Sequence, residues 1–284
     1  MPEPRHTEPS LHAAGISLSI VAYRTPLKLL EGAIRSAFVA LQTAGLEADS
    51  LIVVVDNGED GEQTKQCLLP LTDTLKSAGC GFEYLHGHGN IGYGAAHNLS
   101  FQREHRPVHV FMNPDVVLDP DVFVRGCAYL ESNADVAMIS PEAIDDAGCR
   151  QFLCKHYPTV FDLFLRGFGP GFLKKAFARR LARYEMRDLS TREASKEVPI
   201  ISGCFMLCRS EQIRQAKGFD PDFFLYFEDF DLSLRVSRRA KLAFLPDMKI
   251  RHSGGNSARK GVAHIFMFLR SARRFFSLHG WRWI

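Results

Sequence analysis

Apolar residues in the first part of the chain alternate between short unbroken runs and stretches spaced three and four apart. Ile16 to Ala22 (ISLSIVA) is such a run. After Pro26 come Leu29, Leu30, Ala33, Ile34, Ala37, Phe38 and Leu41 at helical spacing, which predicts strand, turn, helix. Leu51 to Val55 is continuously apolar and ends in Asp56-Asn57-Gly58, and a helix is expected over Glu62 to Ser77. Phe82 to Leu85 reads as a third strand, Gly94 to Arg103 as a third helix, and Val108 to Met112 as a fourth strand stopping at Asn113-Pro114-Asp115. Runs without polar alternation suit strands covered on both faces by helices. The βαβαβαβ order implies an α/β fold, a parallel, right-handed, doubly wound sheet.

The texture then changes. Cys154 to Met186 is rich in phenylalanine, glycine and base, strand texture resumes at Val198 to Leu207, and an acidic cluster precedes a further helix. A strand over Leu242 to Leu245 leads to His252-Ser253-Gly254-Gly255. No residue after Asp247 is acidic, whereas Lys249, Arg251, Arg259, Lys260, Arg270, Arg273, Arg274 and Arg282 are basic. The expected organisation is a disordered start over residues 1–15 and one α/β domain over 16–256 that carries an amphipathic insertion at 154–190. A basic amphipathic helix over 257–284 completes it.

Composition narrows the class. The 284 residues are 46% hydrophobic and 24% charged, enough for a core and unlike disordered, collagenous or coiled-coil chains. Lys plus Arg less Asp plus Glu is 35 − 32 = +3, too mild for nucleic-acid binding on net charge. Seven scattered cysteines suggest reduced thiols and a cytoplasmic protein. Cys204 and Cys208 lack a second pair at zinc-finger spacing. The first fifteen residues lack the apolar stretch of a signal peptide, and no run approaches the roughly 18 apolar residues of a spanning helix.

In doubly wound sheets ligands bind beyond the carboxyl ends of the strands, and here those ends carry Tyr23-Arg24-Thr25, Asp56-Asn57-Gly58 and Asn113-Pro114-Asp115. Asp115 is placed to offer a hard oxygen to a divalent metal bridging a diphosphate; the tripeptide also suits a plain turn. Glu228, Asp229 and Asp231 open a helix, where the dipole favours ionised carboxylates and keeps an aspartate basic at neutral pH. Asp231 can pair with Arg235 one turn on, leaving Glu228 and Asp229 to face a ligand. An acidic first turn on the surface is the plainer reading, but Phe223 to Phe227 immediately precede the carboxylates, unlike a solvated charge run. His252, before two glycines and Lys260, can ligate a metal or lie on the surface. Gly87 to Gly92 also satisfies the dinucleotide fingerprint G-x-G-x-x-G, so an NAD-type oxidoreductase stands as an alternative, as does an inactive membrane-associated binding protein.

In order along the chain, SLSIVAYRT, VVVDNGEDG, GNIGYGAAHN, VFMNPDVVLDPD, ISGCFMLCRSEQI, GFDPDFFLYFEDFDLSLR and PDMKIRHSGG resemble the family 2 inverting glycosyltransferases of the nucleotide-diphospho-sugar (GT-A) fold. Within it the rhamnosyltransferase-like branch is the nearest in pattern. The resemblance implies transfer of a sugar, L-rhamnose in that branch, from a dTDP or UDP sugar to a glycan or lipid-linked acceptor in bacterial cell-surface polysaccharide synthesis. It implies Ala22, Tyr23, Arg24 and Asp56 at the nucleobase and ribose, with Asn90 and Asn98 lining the pocket. Asp115 would be the remaining carboxylate of a D-x-D motif whose first position here is Asn113, and His252 the further contact to Mg2+ or Mn2+. Lys260 would reach the phosphates and Asp229 would be the general base, with Glu228 beside it.

Two stretches bear on the acceptor side. Phe161 to Met186 interleaves Phe164, Leu165, Phe168, Phe172, Leu173, Phe177 and Leu181 with six bases, a pattern that fits an anionic headgroup region. In the tail Ile265, Leu269, Ala272 and Phe276 are expected on one face, opposite Arg270, Arg273 and Arg274. Both also suit helices packed on the domain with arginine facing water. The expected place is the cytoplasm, with peripheral contact on the inner face of the plasma membrane.

Overall fold

The computed structural model describes residues 15–103, 106–254 and 261–284. Its first half follows the periodicity closely: β1 (Ile16–Ala22), α1 (Leu27–Thr43), β2 (Leu51–Asp56), α2 (Gly61–Ser77), β3 (Gly81–Leu85), α3 (Tyr93–Phe101) and β4 (Val108–Met112). Next come β5 (Val116–Leu118), α4 (Val122–Ser132), β6 (Val136–Ile144), β7 (Arg150–Gln151), β8 (Cys154–Lys155), α5 (Val160–Gly167), α6 (Gly171–Ala176) and α7 (Ala178–Tyr184). The chain closes with β9 (Ile200–Ile201), β10 (Phe205–Arg209), α8 (Ser210–Gln215), α9 (Glu228–Ser237), β11 (Lys241–His252) and α10 (Val262–His279).

The main sheet runs β3-β2-β1-β4-β10-β6-β11-β5, with β7 on β6. β3, β2, β1 and β4 are parallel, whereas β10 is antiparallel to both of its neighbours. The sheet is therefore mixed, a parallel half joined to a mixed half through β10. β1, β2 and β4 are buried on both faces, as the unalternated runs required, while β3 at the sheet edge is only partly covered.

Several expectations need amendment. The single strand expected over Val198 to Leu207 is two, because Ser202-Gly203-Cys204 leaves the ladder between β9 and β10. β11 is far longer than Leu242 to Leu245: it passes Pro246 by a register shift between Leu245 and Lys249 and carries His252 to its end. The basic stretch from Phe161 to Met186 is three short helices, interrupted at Gly169-Pro170, with Leu165 and Leu181 packed inward and Phe164, Phe168, Phe172 and Phe177 outward. α10 presents Ala272, Phe275 and Phe276 to the body, while Ile265 and Leu269 face out, so the inward face is rotated from the one expected. Phe275 and Phe276 share a core with Leu163, Tyr184, Phe223 and Phe227, so the C-terminal helix is built into the domain.

Candidate active site

The carboxyl ends of β1 and β2 meet side by side, with Ala22 in register with Asp56. The backbone N–H of Asn57 donates to the carbonyl of Ala22 at 2.8 Å, which closes this corner. Asp56 is buried; its Oδ1 accepts from the N–H of Gly58 at 2.8 Å and its Oδ2 from the hydroxyl of Tyr84 at 2.5 Å. Two donors fix the plane of the carboxylate and leave acceptor capacity for a ligand N–H. Tyr23 and Arg24 project into solvent, with the Arg24 guanidinium 5.3 Å from the centre of the Tyr23 ring and its backbone at φ +50°. Asn90 accepts from the N–H of Gly92 at 3.1 Å and shapes the loop before α3. Asn98 does a different job from the pocket-lining one expected. Its amide donates to the carbonyl of Phe219 at 2.8 Å and accepts from the Phe219 N–H at 2.9 Å, so both ends tie α3 to the 218–219 turn.

Asp115 follows β4, beside the end of β11. Its Oδ1 lies 3.4 Å from Nε2 of His252 and is buried, with no hydrogen-bond partner among the described residues. Nδ1 of His252 sits 2.6 Å from Oε1 of Gln151, whose amide in turn donates to the His252 carbonyl at 3.1 Å. Gln151 Oε1 only accepts, so Nδ1 donates to it, and Nε2 is the ring nitrogen that faces Asp115. A neutral ring with its proton on Nδ1 would offer Nε2 beside the carboxylate oxygen as a second ligand to a cation. Ligands at right angles on an octahedral Mg2+ or Mn2+ lie about 3 Å apart, so the pair fits such an ion. Among the described residues no third histidine, cysteine or carboxylate joins them, which leaves the remaining positions to substrate oxygens and water. A methyl group on Gly254 would come within 1.9 Å of Asp115 Oδ2 and 3.0 Å of His252 Nε2, so only glycine lets the backbone pass over this pair. Asn113 is half-buried and its N–H donates to the carbonyl of Cys204 at 2.9 Å. Lys260 lies outside the described residues.

Across the crevice, α9 begins in an unusual way. Tyr226 and Phe227 are consecutive residues in the left-handed region, at φ +72° and +66°. Each such residue costs on the order of 1–3 kcal/mol and persists only where packing enforces it. α10 supplies the packing: Ser271 Oγ donates to the Leu225 carbonyl at 2.8 Å, His264 Nδ1 meets the Tyr226 hydroxyl at 3.0 Å, and the Phe275 ring lies 5.3 Å from that of Phe227. The turn delivers Glu228 and Asp229 at the helix start. Asp229 Oδ2 accepts from the N–H of Gly203 at 2.8 Å and Oδ1 from the N–H of Phe230 at 2.9 Å. Burial raises the Asp229 carboxyl above its usual range, and these two N–H groups hold the rise in check. Glu228 is 5% exposed, its Oε2 has no partner, and burial with the neighbouring Asp229 charge pushes its carboxyl well up. Of the two, Glu228 is raised further, and Asp229 keeps the two N–H donors that favour its ionised form. Asp231 turns away. It pairs with Arg235 at 2.5 Å and with Nε2 of His279 at 2.9 Å, fastening α9 to the end of α10.

The two sides are linked by adjacent residues, since Gly203 holds Asp229 and Cys204 holds Asn113. Tyr93, at the start of α3, donates its hydroxyl to the carbonyl of Gly203 at 2.6 Å. Asn57 spans from Gly92 to His88 at 3.0 Å each. Gln151, Tyr93, Gly203 and Asn57 escaped the sequence reading. Only Asn57 carried a signal, as the neighbour of Asp56 at a strand end.

A family model described as glycosyltransferase like family 2 matches residues 15–274. The chain belongs to glycosyltransferase family 2. This glycosyltransferase is 24% identical over 208 residues to the rhamnosyltransferase WbbL of Escherichia coli strain K12, covering 69% of the chain and 73% of WbbL. Its fold is that of the GT-A enzymes. It superposes on GalNAc-T7, crystallised with UDP, GalNAc and Mn2+, with a TM-score of 0.63 at 14% identity over 93% of the chain and 48% of GalNAc-T7. On residues 1–349 of S. aureus TarS the TM-score is 0.56 at 13% identity, over 93% of the chain and 72% of TarS. The dinucleotide alternative loses its ground in this fold. β3, which leads into Gly87-x-Gly89-x-x-Gly92, stands at the sheet edge, and Gly92 serves close packing, a methyl there falling 2.4 Å from the Phe224 carbonyl. No described helix is long and apolar enough to cross a membrane.

Proposed function

We propose that the glycosyltransferase moves a sugar, with inversion, from a uridine or deoxythymidine diphosphate sugar to a hydroxyl of a glycan or lipid-linked acceptor in bacterial cell-surface polysaccharide synthesis. The observation that carries this is that adjacent residues Gly203 and Cys204 tie together two unlike sites, the Asp115–His252 pair that follows Asn113 and the Asp229 carboxylate held by two backbone N–H groups.

Asp56, at the end of β2, accepts from the N3–H that uracil and thymine share, with Tyr84 and the Gly58 N–H fixing its plane. Tyr23 and Arg24 offer an exposed ring and a guanidinium to the nucleoside. Asp115 and His252 would hold Mg2+ or Mn2+, and such an ion would supply charge neutralisation for the departing diphosphate. Asp229 takes the proton from the acceptor hydroxyl as its oxygen bonds to the anomeric carbon. The bond from that carbon to the diphosphate breaks with its electron pair leaving on the β-phosphate oxygen, and the configuration inverts. Burial and the neighbouring Asp229 charge push the Glu228 carboxyl up, which favours its neutral form beside Asp229. Rhamnose as the sugar rests on the likeness to the E. coli enzyme and on Asn113 standing where a D-x-D motif has its first aspartate.

A panel of nucleotide-sugars in thermal melts, with and without Mn2+, tests the reading, because a ligand that binds only the native state raises Tm. Pyrimidine diphosphate sugars are expected to raise it most, and more with metal. A larger rise with guanosine or adenosine diphosphate sugars would overturn the assignment.

A further inference from the structure

We propose that the face built by α5, α6, α7 and the last four residues seats on an anionic lipid surface. Phe164, Phe168, Phe172 and Phe177 are 38–70% exposed there, and Trp281 and Trp283 are 47% and 64% exposed. The tail is part of the same surface. The Val160 N–H donates to the carbonyl of Arg282 at 2.8 Å and the Phe161 N–H to that of Trp283 at 3.2 Å, so the tail satisfies two of the free donors at the start of α5. The Tyr157 hydroxyl fixes the Gly280 carbonyl at 2.5 Å, and the Arg282 guanidinium lies 4.3 Å from the centre of the Tyr157 ring. Trp283 stacks on Trp281 at 5.2 Å and Trp281 on Phe276 at 5.1 Å, while the Phe161 ring stands edge-on to Phe177 at 5.0 Å. Along α5 Phe161 and Phe164 share one face at a spacing of three, and Phe168 follows directly at the end of the helix. Aromatic and apolar surface of this extent, held open by a folded scaffold, marks a binding face.

Charge identifies the occupant. The only acids between residues 160 and 185 are Asp162 and Glu185, and both are spent on Arg180 and on Arg166 and Arg187. Lys174, Lys175, Arg179 and Arg183 have no acidic partner among the described residues. A face whose aromatic rings stand among unneutralised cations matches the chemistry of an anionic bilayer interface, where rings sit at headgroup depth and bases meet phosphates. A second copy of the same face would set like charges against each other. The inference is independent of the proposed reaction, because vesicle binding is read without any transfer step.

Trp281 and Trp283 are the only tryptophans in the chain, so intrinsic fluorescence reports on this face alone. The experiment adds phosphatidylcholine vesicles, with or without phosphatidylglycerol, to the full chain. Co-sedimentation, emission wavelength and quenching by brominated lipid are followed. Sedimentation and a blue shift with quenching are expected only with phosphatidylglycerol, and both weaken as salt is raised. Lys174→Glu/Lys175→Glu/Arg179→Glu should lower partitioning by about tenfold or more, and Phe168→Ser/Phe172→Ser should abolish the blue shift, each with Tm unchanged. Absence of both signals in the wild type overturns the proposal, whatever the variants do. Equal binding to neutral vesicles also overturns it, as does a lipid-free dimer that Phe168→Ser/Phe172→Ser dissolves.

Discussion

Oε1 of Gln151 lies 2.6 Å from Nδ1 of His252, and that contact sets which ring nitrogen faces Asp115. A glutamine oxygen cannot donate, so Nδ1 donates to it and Nε2 is turned, across 3.4 Å, to a carboxylate oxygen with no hydrogen-bond partner among the described residues. Removing such an orienting group typically costs 10- to 100-fold in metal affinity. Gln151→Leu is therefore expected to raise the Mn2+ concentration needed for donor binding by that factor while leaving metal-free nucleotide binding alone. Calorimetric titration of donor at several Mn2+ concentrations measures it.

Asp115→Ala removes the carboxylate itself. The side chain makes no hydrogen bond that holds the fold, so Tm should stay close to wild type while the metal-dependent part of donor affinity disappears. Unchanged donor affinity in Mn2+ would show that the diphosphate is neutralised elsewhere.

Much of this arrangement was legible in the sequence, and the reasons are particular. β1, β2 and β4 are buried on both faces, so their apolar runs are unbroken and their ends fall at Ala22, Asp56 and Met112, which puts Asp56 and Asp115 in view at once. The acidic start of α9 was visible as a charge cluster behind aromatics. What fixes its geometry was not, because Tyr226 and Phe227 adopt left-handed backbone only under packing from α10, some forty residues on. Gln151 lies on a two-residue strand whose place depends wholly on pairing with β6, and no local pattern marks it. β11 was read short because Pro246 ordinarily stops a strand, whereas here a register shift absorbs it.

His279 is expected to matter to stability more than its place near the end of the chain suggests. It is almost fully buried against Asp231, which also binds Arg235. His279→Ala leaves a buried carboxylate with one partner fewer, a loss of about 1–3 kcal/mol. Because the same helix enforces the Tyr226-Phe227 turn, turnover should fall along with Tm. A Tm within experimental error of wild type would show that α10 is held without this pair.

Acid should destabilise the protein through two core histidines. His97 and His109 are buried and bonded to Ser19 and Ser17 at 2.6 Å and 2.5 Å. Burial lowers both rings, His109 to about 3 from an ordinary 6.5. The unfolded chain binds protons that the folded chain refuses, so stability is full above about pH 6.5 and falls as pH drops toward 3. The slope reaches about 1.4 kcal/mol per pH unit for each ring. Denaturant titrations between pH 4 and pH 7 measure the proton uptake on unfolding, and His109→Gln should reduce it by about one proton.

The central claim is that Asp229 is the base, and the most direct measurement separates binding from transfer in Asp229→Asn. The substitution keeps shape and one of the two oxygens that accept from a backbone N–H, sets an amide NH2 against the other N–H, and removes basicity. Donor affinity by calorimetry should stay near wild type while transfer to the native acceptor falls by about 10² to 10⁴, the usual loss for a positioned base. Glu228→Gln, which mimics the protonated neighbour, should retain more activity than Asp229→Asn. Full transfer activity in Asp229→Asn would contradict the account and move the base to another group in the crevice.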